Sequence, residues 1–176
     1  MVGDRKLADS LRRAFREVAE EKGADRWVPI LSGLVWFAAL IVSGLDIEIL
    51  QHGKYSFAVV GITGVAFLLA GLGLYEVARR TLGELFSEAV RILPEHKLIT
   101  SGPYHLIRHP VYLGAILFGL SIPMISNSLY GFVIMLIPIP ILLRRIGIEE
   151  KVLVSKFGQE YLEYARKTKK LIPYIY

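Results

Sequence analysis

Chemically capable side chains crowd into two short stretches of this 176-residue chain. The first begins at Arg79-Arg80 and culminates in Leu98-Ile99-Thr100-Ser101-Gly102-Pro103-Tyr104-His105-Leu106-Ile107-Arg108-His109-Pro110-Val111-Tyr112. Ser101-Gly102-Pro103 reads as a turn, and Pro110 suits the first position of a helix, where its missing N–H costs nothing. The proline pushes His109 out of helical backbone geometry. His109 is therefore expected at the mouth of a helix, beside the amides of its first turn, a place that favours carboxylates or phosphates. Arg108 and His105 add positive charge there, although Arg108 and His109 alone would equally serve to anchor a membrane span at the headgroups. The second stretch is Arg144-Arg145-Ile146-Gly147-Ile148-Glu149-Glu150, followed by Phe157-Gly158-Gln159-Glu160-Tyr161-Leu162-Glu163-Tyr164. On a continuous helix Arg145 and Glu149 are neighbours. Arg145 and Glu150, five apart, point differently and are placed to hold opposite ends of a zwitterion; a solvated interfacial helix with ordinary charge pairs is the plainer alternative. Glu76 is a lesser candidate. An ionisable residue near the end of an apolar segment invites a functional reading, but it also reaches the interface beside Arg79 and Arg80.

The elements that must position these residues are apolar. Hydrophobic residues make up 53% of the chain, and the mean hydropathy of +0.47 is high for a soluble domain of one domain's length. Val28–Leu45 and Tyr55–Ala78 are long enough to cross a hydrocarbon core, which takes roughly 17–25 helical residues. Val111–Ser126 and Ser128–Leu143 are at the lower limit and carry Pro123, Pro138 and Pro140. With only Asn127 between them they read as a tight helical hairpin, its prolines tolerated where neighbouring helices satisfy the freed carbonyls. The expected fold is an all-α polytopic membrane bundle of about four transmembrane helices. An amphipathic N-terminal helix over Asp4–Lys22 and a C-terminal cytoplasmic helix complete it. The chain reads as a single domain, residues 1–176, with 1–26 a cytoplasmic amphipathic segment and 79–176 the part that bears the motifs.

Charge placement sets the orientation. Of the 21 lysines and arginines, only Lys54 falls in the two loops opposite the N-terminal segment, the middle loop and the C-terminal tail. The excess of positive charge on one side puts both termini and the middle loop in the cytoplasm. It also accounts for the net charge of +5 without nucleic acid as a partner. The N-terminal segment lacks the apolar core of a signal peptide, and Leu7, Leu11, Ala14, Phe15 and Val18 recur at helical spacing, so it is expected to lie on the inner membrane surface or to pack over the bundle. The absence of cysteine excludes disulfides and thiolate chemistry. The four histidines, His52, His96, His105 and His109, have no metal-ligand spacing.

Thr100-Ser101-Gly102-Pro103-Tyr104-x-x-x-Arg108-His109-Pro110-x-Tyr112-x-Gly114, then a helical hairpin, then Glu149-Glu150, then Phe157-Gly158-x-Glu160-Tyr161-x-x-Tyr164 and Ile172-Pro173, resembles the isoprenylcysteine carboxyl methyltransferase family. That family belongs to a wider group of integral membrane methyltransferases that includes phospholipid N-methyltransferases. The likeness covers about residues 79–176. The resemblance implies methyl transfer from S-adenosyl-L-methionine to a lipophilic small molecule or lipidated substrate at the cytoplasmic face, among membrane lipids. By position in the motif it implies that Tyr104, His109, Pro110 and Tyr112 line the cofactor pocket and that Glu150 holds the cofactor's amino group. It implies that Arg145 faces the methyl acceptor, with His105 and Arg80 as weaker assignments. Tyr112, Tyr161 and Tyr164 offer aromatic faces to a sulfonium by cation–π attraction. The eukaryotic members have more spans than four, and Pro103, as in many prokaryotic relatives, points away from a dedicated prenyl-protein substrate.

Two other readings stand beside this one. Membrane sterol reductases that use NADPH share an Arg-His-Pro-x-Tyr string and a Tyr-x-x-Tyr tail ahead of Pro-Tyr, much like Pro173-Tyr174 here. The Glu149-Glu150 pair and the chain's length fit the methyltransferases better. A non-enzymatic membrane scaffold would tolerate alanine at the clustered His, Arg, Glu and Tyr positions. The methyl acceptor, whether a prenylcysteine carboxylate, another lipid-like acid, a phospholipid amine or a small hydrophobic molecule, is not readable from these residues.

Overall fold

The computed structural model describes residues 28–46, 58–83 and 98–173. The expected N-terminal amphipathic helix, the outer loop with His52 and Lys54, the middle-loop residues Arg91, His96 and Lys97, and the final Tyr174–Tyr176 lie outside the described residues. Among the described residues the regular structure is helical: α1 (Val28–Leu45), α2 (Ala58–Leu82), a 3-10 turn (Gly102–His105), α3 (Pro110–Ile125), α4 (Leu129–Leu136), α5 (Pro138–Phe157) and α6 (Gln159–Lys167).

Small residues decide how the helices meet. Gly64, Gly71 and Ala78 recur every seventh position of α2 and are buried, so they share one face. That face lies directly on α3. A Cβ added to Gly71 would stand 2.6 Å from the Phe118 amide nitrogen and 2.9 Å from the Gly114 carbonyl oxygen; one on Gly64 would stand 2.8 Å from the Ile125 nitrogen. Gly114 reciprocates, 2.8 Å from the Tyr75 nitrogen. Backbones this close give the dispersion contact that drives helix association where burial from water supplies no force. α1 and α4 also pack on α3, and Trp36 of α1 stacks on Phe118 at a centroid distance of 5.2 Å.

The opposite faces of α1 and α2 are apolar and bare. Leu34 and Phe37 of α1 are 61% and 63% exposed, and Val59, Ile62 and Leu69 of α2 are 77%, 70% and 67% exposed. Buried core helices of a soluble protein would hide these side chains; here they form a continuous belt suited to lipid. Two helices, Ala58–Leu82 and Leu129–Phe157, are long and apolar enough to cross a membrane, and α1 and α3 are shorter apolar helices.

The expected hairpin is present at Asn127, whose φ of 52° is the left-handed conformation that asparagine tolerates better than most residues. The Ser126 and Asn127 amides donate to Ile122 and Met124 carbonyls, and Ser128 N donates to the Pro123 carbonyl at 2.8 Å, so the carbonyls at the end of α3 are satisfied. Ser128 then caps α4 through its side chain, accepting from Gly131 N at 3.0 Å. The fourth expected span, Ser128–Leu143, is only the first half of a longer helix. α4 and α5 run on as one helix, Leu129–Phe157, because Ile137 keeps helical angles and donates to the Ile134 carbonyl at 3.1 Å. That tightened turn comes just ahead of Pro138, which has no N–H to give. The continuation carries Arg145, Glu149 and Glu150 beyond the apolar portion. At Gly158, φ 54°, the chain breaks and α6 begins.

Candidate active site

The start of α3, the end of α2 and the far end of α5 converge at the end of the bundle opposite the Asn127 hairpin. The 3-10 turn seats on the end of α2: Gly102 adopts φ 59° with Thr81 3.0 Å from where a Cβ would stand, and Tyr104 is buried with its hydroxyl 3.5 Å from the Ala78 carbonyl. His109 caps α3 with φ −127° and ψ 56°, outside helical geometry as its position before Pro110 predicts, and is 3% exposed. Pro110 is fully buried. The two backbone amides just ahead of the first turn of α3 are engaged by the chain itself. Arg108 N donates to the Lys169 carbonyl at 2.8 Å and His109 N to the Lys170 carbonyl at 3.0 Å, while Lys169 N returns to the Leu106 carbonyl at 3.3 Å. The extended segment after α6 thus pairs alongside residues 106–109 like a short parallel strand.

Glu150 is the hub. Its Oε1 accepts from Arg108 Nε at 2.7 Å and from the Tyr161 hydroxyl at 3.4 Å, and His109 Nε2 stands 3.5 Å away. Its Oε2 is 3.2 Å from Lys170 Nζ. Burial favours the neutral acid, but the approach of His109 and the Arg108 and Lys170 cations outweighs it and holds the carboxyl at about 2. Glu149 accepts from the Tyr112 hydroxyl at 3.0 Å, and its Oε2 stands 3.9 Å from His109 Nδ1, so the His109 ring lies between the two carboxylates. Arg145 is buried and lies within hydrogen-bonding reach of that same hydroxyl. Tyr164 donates to the Tyr104 carbonyl at 2.6 Å, and its ring meets Tyr161 edge to face at 5.9 Å. His109 and Tyr112 meet likewise at 5.8 Å. Burial raises the Tyr161 and Tyr104 hydroxyls well above the ordinary tyrosine range and Tyr164 to about 12, so all three stay protonated donors at neutral pH.

The structure therefore brings together eight of the expected residues, Tyr104, His109, Pro110, Tyr112, Arg145, Glu150, Tyr161 and Tyr164, around one acidic hub. It does not draw in the other two. Arg80 is paired with Glu76 at 2.6 Å and its side chain is 76% exposed; Glu76 also binds Arg79, so that acid serves an exposed charge cluster at the end of α2. His105 is exposed at the end of the 3-10 turn. Residue-by-residue reading missed the importance of Arg108, taken as general positive charge, and of Thr168 and Lys170. Arg108 stood in the legible string. Thr168 and Lys170 carried no signal, because only the return of the chain after α6 brings them to the site.

The family model for the isoprenylcysteine carboxyl methyltransferase (ICMT) family matches residues 62–155, more than half of the chain. The chain belongs to the ICMT family. The match starts within α2, earlier than the motif residues, and so takes in Gly64, Gly71 and Ala78; it ends after Glu149-Glu150 and before Tyr161. Among similar proteins, a probable protein-S-isoprenylcysteine O-methyltransferase of Oryza sativa subsp. indica is 35% identical over 119 residues, 66% of this chain and 62% of the relative. The protein-S-isoprenylcysteine O-methyltransferase of Saccharomyces cerevisiae is 34% identical over 127 residues, 69% of this chain and 53% of the relative. The solved structure of a eukaryotic intramembrane Ras methyltransferase ICMT superposes with a TM-score of 0.69 at 26% identity, covering 80% of this chain and 52% of that one. The chain thus spans between half and two thirds of these ICMT relatives.

Proposed function

We propose that this ICMT-family chain transfers a methyl group from S-adenosyl-L-methionine to a carboxylate on a lipophilic acceptor of the isoprenylcysteine type. In this reading α1, α2, α3 and the apolar first half of the α4–α5 helix, up to Leu143, are four membrane spans, and the site lies at the cytoplasmic surface, with both termini on that side. The single observation that carries the proposal is the Glu150 hub at the polar end of an apolar bundle, where a charged soluble cofactor and a membrane-dissolved acceptor can meet.

The residues suit the cofactor. An ionised, half-sequestered carboxylate is what an α-ammonium requires, and the buried His109 Nε2 atom makes no well-formed hydrogen bond, with Glu150 Oε1 at 3.5 Å, so a ligand could complete its bonding. When bound, the cofactor supplies an electrophilic methyl group on a sulfonium. Glu150 holds the ammonium, and His109 with the Tyr104, Tyr112, Tyr161 and Tyr164 side chains shapes the pocket; a tyrosine face toward the sulfonium adds cation–π attraction. Arg145, buried beside Tyr112, orients the acceptor carboxylate. An in-line displacement asks the protein chiefly for alignment, and a carboxylate nucleophile needs no general base because it is already ionised at neutral pH. The rice and yeast relatives named above, both protein-S-isoprenylcysteine O-methyltransferases, favour this reading over a reductase that shares the Arg-His-Pro-x-Tyr string.

The test is calorimetric titration of the detergent-purified chain with S-adenosylhomocysteine and, separately, NADPH. Wild-type protein is expected to bind the homocysteine product, with Glu150→Ala and His109→Ala at least about tenfold weaker, a change of about 1.4 kcal/mol. Methyl transfer to an S-prenylated cysteine analogue follows as the activity assay. Binding of NADPH alone would transfer the chain to the reductase reading, and binding of neither by folded protein would leave a scaffold.

A further inference from the structure

Arg108 has a bonding pattern that general positive charge does not explain. Its side chain is 9% exposed, and the guanidinium points two ways at once. Nε donates to Glu150 Oε1 at 2.7 Å, while the first of its two terminal nitrogens donates to the Thr168 carbonyl at 2.6 Å and the Ala165 carbonyl at 3.0 Å. Ala165 and Thr168 lie at the C-terminal end of α6, where the last carbonyls lack helical partners and carry the negative end of the helix dipole. The backbone of the same residue is tied to the same segment, Arg108 N to the Lys169 carbonyl, with His109 N to the Lys170 carbonyl next to it. Lys170 then returns its ammonium to the second oxygen of Glu150 at 3.2 Å. Arg108, the segment 168–170 and Glu150 form a closed circuit that joins α3, α5 and α6.

We propose that Arg108 is a positioning residue that fixes the Glu150 carboxylate and locks the segment after α6 over the site, so that Glu150 is held ready for the cofactor's ammonium. The proposal rests on the reading that Glu150 takes that group. A fixed planar fork is needed to serve a carboxylate on one side and two carbonyls on another; a lysine ammonium is a point charge on a flexible stem and does not reproduce the arrangement. Loss of the fork has two consequences. The segment carrying Lys170 loses its side-chain anchor, and Glu150 loses its shortest cationic contact.

The groups that face Glu150 are Arg108 and His109 from the motif loop, Lys170 from the segment after α6, Tyr161 from α6 and its neighbour Glu149 on α5. With Arg108 removed, the carboxyl moves back up toward the ordinary glutamate range, so its protonation enters the measurable pH window. Its ability to hold an ammonium then falls as the pH drops from about 6 to 4.5, where the wild type stays ionised.

S-Adenosylhomocysteine binding to the full-length chain in detergent, measured at pH 7.5, 6.0, 5.0 and 4.5 with a thermal unfolding curve at each, tests this. Arg108→Gln is expected to bind at least tenfold more weakly at pH 7.5, with a further several-fold loss by pH 4.5 that the wild type lacks. Arg108→Lys is expected to recover the flat pH response, because a cation remains, but not the affinity. Equal affinity in Arg108→Lys and wild type overturns the proposal, as does a pH response of folded Arg108→Gln parallel to that of the wild type, which would leave Arg108 a merely structural contact. If Arg108→Gln yields no folded protein, the affinity of Arg108→Lys alone decides. Failure of the wild type to bind at all would instead refute the cofactor assignment to Glu150.

Discussion

Glu149 and Glu150 are adjacent in sequence and differ in use. Glu150 collects Arg108, Lys170 and Tyr161, Glu149 accepts from Tyr112, and the His109 ring reaches both, Nε2 toward Glu150 and Nδ1 toward Glu149. The split follows from the helix: neighbouring residues differ by about 100° around its axis, so two carboxylates can serve two ligands. Arg145 lies beside Tyr112 and Glu149, and the proposed reaction assigns it to the acceptor and Glu150 to the cofactor. Replacement of Arg145 by Gln is therefore expected to leave S-adenosylhomocysteine affinity within about threefold of wild type. It should lower kcat/KM for a prenylcysteine carboxylate by about a hundredfold, or ~2.7 kcal/mol, the size of a lost preorganised charge contact. Calorimetry and a methyl-transfer assay on the same preparation check both halves, and an equal loss in both would move Arg145 into the cofactor pocket.

Among the elements, the α2–α3 pair is the one on which the site rests. α3 presents His109 and Tyr112, α2 supports the 3-10 turn at Tyr104 through Ala78 and at Gly102 through Thr81, and the two helices meet backbone to backbone at Gly71 and Gly114. Even one methyl group at Gly71 would collide with backbone atoms that no rotamer change can move. Gly71→Ala is expected to destabilise the chain by about 1–3 kcal/mol, the usual range for overpacking, whereas Gly73→Ala, where nothing lies within 4 Å of the added carbon, should be neutral or slightly stabilising. Thermal unfolding of the two variants in the same detergent makes the comparison; similar melting curves would show that α2 and α3 do not depend on this seam. The long α4–α5 helix has the complementary task. Two prolines near its middle are absorbed by one tightened turn at Ile137, and the helix runs on past the apolar portion to deliver Arg145, Glu149 and Glu150 as one rigid unit.

For the whole molecule, the helices alternate in direction, so the start of α1, the end of α2, the start of α3 and the end of α5 share one end of the bundle. All the described polar machinery is there, and the Asn127 hairpin marks the other end. In the proposed orientation the excess of lysine and arginine read from the sequence puts the site end in the cytoplasm. The chain contains no cysteine, so single-cysteine variants report position directly. Lys151→Cys, on the site end, is expected to react with a membrane-impermeant maleimide only after cells are permeabilised, and Lys54→Cys in intact cells. The reverse pattern would invert the orientation.

The sequence by itself determined the helical class, the apolar segments, the tight turn at Asn127 and the strings that hold Tyr104, His109, Pro110, Tyr112, Arg145, Glu150, Tyr161 and Tyr164. These rest on local properties: a run of apolar residues long enough for a bilayer, a proline that starts a helix, a spacing of four or five on one helix. The tertiary structure alone decided which charges meet. It left Arg80 with Glu76 and His105 exposed, although both lie next to the motif, because a neighbour in sequence can leave a helix or turn on its outer side. It drew Thr168 and Lys170 to Glu150 and gave Arg108 its two-sided contact, because the break at Gly158 folds α6 back and returns the chain to residues 106–109. The small-residue seam of α2 lies between these cases. Its period of seven is visible in the sequence, but its meaning depends on a partner helix with a glycine at the matching height.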